Sequence, residues 1–129
     1  MKKLFWPFII FFLFGCATNA DRHFMLNQTL ITYEKTYRWG EYANLLNFRK
    51  SSTAQDAERV STYENIRISG YQVKRQIPVD DTYRISFDVE ISYFTTNDNR
   101  IQSVIDTQTW EYDKDAKRWF IKSPLPILR

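Results

Sequence analysis

Cysteine and histidine occur once each in this 129-residue chain, beside three glycines and four prolines. The lone Cys16 excludes an intramolecular disulfide, so the fold must stand on its apolar core. His23, the sole histidine, excludes zinc sites built on several histidines and mechanisms that need a histidine pair. It lies seven residues beyond Cys16 and reads as an exposed residue of the tether or first helical turn. There is no glycine-rich phosphate loop, and neither Gly-x-Ser-x-Gly nor His-Glu-x-x-His occurs. Long basic runs are missing too. Arg49-Lys50, Lys74-Arg75 and Lys117-Arg118 are isolated pairs, which read as solvated surface charge and not as the clustered face of a nucleic-acid binder. The apolar run Leu4 to Phe14 is eleven residues long, against roughly 20 needed to cross a bilayer, and Pro7 interrupts it.

What is present begins at the amino terminus. Lys2 and Lys3 precede the apolar run and Gly15 follows it, the layout of an export signal. Leu13-Phe14-Gly15-Cys16 resembles the lipobox of bacterial lipoproteins. That resemblance implies cleavage before Cys16, a diacylglycerol thioether and an N-acyl group on it, and stable attachment, because two or more chains hold where one does not. It also accounts for an unpaired cysteine in an exported chain. In a Gram-negative cell, Ala17 in place of an aspartate implies sorting to the outer membrane, with the domain facing the periplasm. The expected organisation is a signal peptide over 1–15, a lipidated tether over 16–20 and one domain over 21–129. Loss of Lys2 and Lys3 with the signal lowers the net charge from +3 to +1.

Periodicity divides the mature chain in two. Leu26, Leu30, Tyr33 and Tyr37 fall at spacings of four, three and four, which predicts an amphipathic helix from about Asp21 to Arg38, ended by Gly40. Glu41 to Phe48 restarts a shorter helical segment, with Tyr42, Leu45 and Leu46 on one side, and Ala54 to Thr62 predicts a third. After Glu64 the period becomes two. Ile66 and Ile68 are in one phase and Tyr71 and Val73 in the other, so a β-bulge is expected at Gly70. Tyr83, Ile85, Phe87, Val89, Ile91 and Tyr93 alternate with polar residues, as in a sheet covered on one face. Asn97-Asp98-Asn99 predicts a hairpin turn into a strand over 100–112. Within that strand Ile101 and Ile105 are out of phase with Trp110 and Tyr112, which implies a bulge or a change of covered face. Residues 118–122 close the sheet, and Pro124 and Pro126 prevent a further central strand.

Helices followed by antiparallel strands argue for an α+β fold: two to three N-terminal helices on a bent antiparallel sheet of about four strands. With Tyr37-Arg38-Trp39-Gly40-Glu41-Tyr42 at the helix junction, Asp106 to Trp110-Glu111-Tyr112-Asp113 in the penultimate strand and Trp119 to Pro124-Leu125-Pro126 at the end, the chain resembles small proteobacterial lipoproteins with a nuclear-transport-factor-2-like (cystatin-like) roll. Members of such folds include enzymes, binding modules and assembly parts, so the site must decide. Asp88 and Glu90 share one strand face, and Asp106 lies on the neighbouring strand. Either aspartate set in an apolar pocket would be a general-base candidate; the alternative is cross-strand pairing with Arg or Lys on a solvated face. Tyr37, Trp39, Trp110, Tyr112 and Trp119 are candidates for a partner surface or pocket lining. The expectation is a non-enzymatic envelope lipoprotein that binds another protein, as an accessory of an envelope or secretion assembly, without metal or any cofactor beyond the lipid on Cys16. The alternative is a pocket for a small apolar molecule. The sequence leaves oligomeric state open.

Overall fold

The computed structural model describes residues 19–129; Cys16, Ala17 and the signal segment lie outside it. Helix α1 runs Asn19–Arg38, two residues earlier than the periodicity suggested. It buries Leu26, Tyr33 and Tyr37 on the expected face. It ends in a Schellman arrangement: Glu41 N donates to Thr36 O at 3.0 Å and Gly40 N to Tyr37 O at 3.1 Å, with Gly40 at φ +70°. The next segment, Tyr42–Phe48, is a 3₁₀ helix that buries Tyr42 and Leu45. Helix α2, Ala54–Ser61, starts with a reciprocal cap between Thr53 and Asp56. Among the described residues, no helix is long and apolar enough to cross a membrane.

Four antiparallel strands follow in the order of the chain: β1 (Ile66–Ile77), β2 (Arg84–Thr95), β3 (Asp98–Asp113) and β4 (Arg118–Ile121). This is the α+β arrangement that the periodicities imply. The bulge at Gly70 is present, since register slips between Ile68 and Gly70; a second slip, between Val73 and Arg75, had no sequence signal because no glycine marks it. At Gly70 an added Cβ would come within 3.3 Å of Ser92 Cβ, so the strands approach closely there.

Two expectations are corrected. Thr95 pairs with Asp98, so the hairpin turn is Thr96-Asn97 and lies upstream of the expected Asn97-Asp98-Asn99. Asp98 is spent instead on Arg100, whose backbone N–H it accepts at 3.1 Å. In β3 there is neither a bulge nor a change of covered face between Ile105 and Trp110; the ladder with β2 is regular from Gln102 to Glu111. Ile101 and Ile105 are simply outside, 64% and 56% exposed, and the inward phase is Val104, Asp106, Gln108 and Trp110. The apolar residues misled because two polar ones occupy the interior.

The core lies between α1, the 3₁₀ helix and the inner sheet face. Tyr33 centres it, with its ring 5.0 Å from those of Phe48 and Trp110 and 5.3 Å from Tyr37, all edge to face. The C-terminal tail closes the open end, burying Leu125 and Leu128. Its Pro126 carbonyl accepts from the Tyr63 hydroxyl, and Arg129 N donates to Tyr93 Oη at 3.0 Å.

Candidate functional site

Asp106 and Gln108 face inward from adjacent inner-face positions of β3, opposite Val89 and Phe87 of β2. Both are buried, Asp106 being 4% exposed. The Gln108 amide joins three neighbours. Its Nε2 donates to Asp106 Oδ2 at 3.0 Å and lies 2.9 Å from Tyr71 Oη, while its Oε1 accepts from Trp110 Nε1 at 3.2 Å. Burial raises the Asp106 carboxyl from its ordinary 3.8 to about 6, against the opposing pull of the Gln108 hydrogen bond and the Arg49 charge. Tyr33 and Tyr37 surround the group with hydroxyls that have no hydrogen-bond partner among the described residues. Burial pushes both phenols far up, and the Asp106 charge adds to the effect. A carboxyl near neutrality beside phenolic groups is the material of proton-transfer chemistry.

Two spaces adjoin this group. The groove between α1 and the sheet, lined by residues including Leu30, Tyr71, Phe87 and Gln108, holds about 150 Å³, below the roughly 300–1,000 Å³ of ordinary ligand sites. Aromatic rings fill the rest of the interior. Asp106 also contributes to the wall of an open trough between β3 and residues 124–127, at the outer margin of the domain.

The other sequence candidates divide sharply. Asp88 is on the outer face, where Thr107 Oγ1 and Arg75 Nε each lie 2.7 Å from its carboxylate and hold it below the usual range. Glu90 approaches Lys74 at 3.9 Å on the same face. The cross-strand pairing weighed for these two is what the structure has; Asp106 departs from it, facing the core. Tyr37, Trp110 and Trp119 are core residues, Tyr112 is half-buried, and Trp119 Nε1 donates to Arg22 O at 2.9 Å. Trp39 differs from all of these, with 76% of its surface exposed. His23 helps line a hollow of about 450 Å³ with Arg22, Asp80, Asp81, Arg84 and Trp119. Among the described residues, no cluster of three or more His, Cys, Asp or Glu is placed to hold a metal. The Gln108 hub carried no sequence signal, since a glutamine in a strand ordinarily reads as solvent-facing.

No family model and no curated protein matches the chain. A solved structure is similar, that of a sec-c motif containing protein from Psychrobacter arcticus, at 13% identity over 91% of this chain and 67% of that one, with a TM-score of 0.55. At that identity the likeness concerns the fold alone.

The raised Asp106 carboxyl sets the sign of a pH effect. The folded state holds this proton more tightly than the unfolded chain does, so the contribution to stability is complete below about pH 3.8 and is lost as pH rises through about 6. The full difference is about 3 kcal/mol. Asp106→Asn is expected to raise the melting temperature by several degrees at pH 7.5, with a margin that shrinks towards pH 4.5. A margin independent of pH in thermal melts contradicts the assignment.

Proposed function

We propose that this chain is a lipid-anchored envelope protein with a nuclear-transport-factor-2-like roll, and that the roll binds another protein through the corner around Trp39. The observation that carries the reading is the exposure of Trp39 at the far end of α1. That helix has 20 residues, about 30 Å of length. Residues 16 to 19 span at most about 11 Å when fully extended. A lipid on Cys16 would therefore hold the start of α1 close to the bilayer, with Trp39 at most about a helix length further out.

The surroundings of Trp39 suit a protein partner. Arg38, Gly40, Tyr42, Arg67 and Ile68 form a shallow hollow with it, of about 280 Å³. Arg38 is held by Glu34 at 3.6 Å and by the Tyr71 carbonyl at 3.3 Å, and Arg67 by the Ile66 carbonyl at 3.0 Å. Tryptophan and arginine are the side chains that most often dominate binding energy at interfaces, and fixed rotamers lower the entropy lost on association. The filled core supports binding over small-molecule chemistry.

Two measurements test the parts separately. Cys16→Ser is expected to abolish labelling with radioactive palmitate and to release the protein from membranes; continued labelling contradicts the anchor. Trp39→Ala is expected to leave membrane attachment and the melting temperature unchanged while weakening binding to the partner recovered from detergent extracts about thirtyfold, equivalent to roughly 2 kcal/mol. Equal recovery with both forms, or no specific partner with either, contradicts the binding surface.

A further inference from the structure

The sheet has two outer edges, and they differ in kind. Along β1 the edge is bent by slips at 68/70 and 73/75 and carries Arg67, Lys74 and Arg75. Bulges and cations of this sort keep an edge from pairing with another chain. The edge of β3 has no bulge from Gln102 to Glu111, and residues 124–127 lie across a trough from 104–107. Strand β4 covers β3 only from Trp110 to Asp113, and Lys122 N extends the contact to Thr109 O at 2.7 Å. From Asp98 to Gln108 the same side of β3 has no backbone partner among the described residues.

The direction of the free groups follows from two bonds. Thr109 O accepts from Lys122 on the β4 side, whereas Tyr112 N donates to Tyr83 O on the β2 side. Odd-numbered residues of this regular ladder therefore point N–H and C=O away from β2, and Ser103, Ile105 and Thr107 present theirs to solvent. Unpaired edge groups of this kind call for an extended strand.

We propose that β3 pairs antiparallel with β3 of a second copy of this chain about a two-fold axis through Ser103, joining the two sheets into one. Ser103 is the midpoint of the free stretch 98–108, and its small side chain permits close approach at the axis. Centring on Ile105 instead would bring Thr109 into the new ladder, where its carbonyl is taken by Lys122 and its amide by Ser123 Oγ at 3.1 Å. About Ser103 the sequence is self-complementary. Ile101 meets Ile105 of the other copy on the outer face, twice by symmetry, and covers the exposed apolar surface of both. The trough between β3 and residues 124–127, about 620 Å³, leaves room beside the edge for the incoming side chains. This pairing does not depend on the lipid anchor or on Trp39.

The test uses the full chain purified in detergent, with mass measured by sedimentation. The wild type is expected to be dimeric, and Ser103→Lys to raise the dimer dissociation constant at least about tenfold, because like charges meet at the axis, with the circular dichroism spectrum unchanged. Ser103→Cys is expected to give an oxidised dimer in yield well above wild type, whose native cysteine is Cys16, and above Gln72→Cys on the β1 edge. A wild type that stays monomeric at 100 µM overturns the proposal. So does a Ser103→Lys protein that remains fully dimeric, or a Ser103→Cys yield no greater than that of Gln72→Cys.

Discussion

The Gln108 amide holds together groups that would otherwise destabilise the domain. Trp110 is the largest side chain fully buried, and its indole N–H ends on Gln108 Oε1. Asp106 is a carboxyl in an aromatic interior, and Gln108 Nε2 supplies its hydrogen bond. Unpartnered, each such group would forfeit about 1–3 kcal/mol. Because β3 brings Asp106, Gln108 and Trp110 to one face at alternate positions, the strand that orders the sheet also orders this network. Tyr33 and Tyr37 then pack over it from α1, so the helix is fixed on the sheet by rings whose hydroxyls themselves go unbonded among the described residues.

This constraint separates what the sequence disclosed from what it hid. Spacing along α1 disclosed the buried face, since Leu26, Leu30, Tyr33 and Tyr37 behave as an ordinary amphipathic stripe. Gly40 and Gly70 disclosed a helix end and a bulge, because glycine marks places where backbone geometry excludes other residues. In β3 the apolar signal pointed the wrong way: Ile101 and Ile105 are outside, while the inward positions carry Asp106 and Gln108. Single-residue hydrophobicity has no means of recognising a polar side chain whose bonds are satisfied by residues 2 to 37 positions away. The aromatic candidates show the same limit. Tyr37 and Trp39 are two positions apart at the end of α1, where about 100° of rotation per residue puts them on opposite sides, one buried and one exposed.

The molecule that results is polar in arrangement as well as in chemistry. Helix α1 separates the end nearest Cys16 from the corner bearing Trp39, with the filled aromatic core between. The two sheet edges are unequal, one bent and cationic, the other regular from Gln102 onward with Ile101 and Ile105 exposed beside it. In the reading given above, membrane, partner and second copy each have their own face. An exposed tryptophan and an open strand edge are surface features that folding alone does not explain.

Gln108 satisfies several buried groups at once, and Gln108→Leu isolates that role. Leucine keeps the apolar contacts but removes the partners of Trp110 and Asp106 and the contact to Tyr71 together. Urea denaturation at neutral pH is expected to show a loss of about 3 kcal/mol, more than a single hydrogen bond contributes. A loss of under about 1 kcal/mol would contradict it.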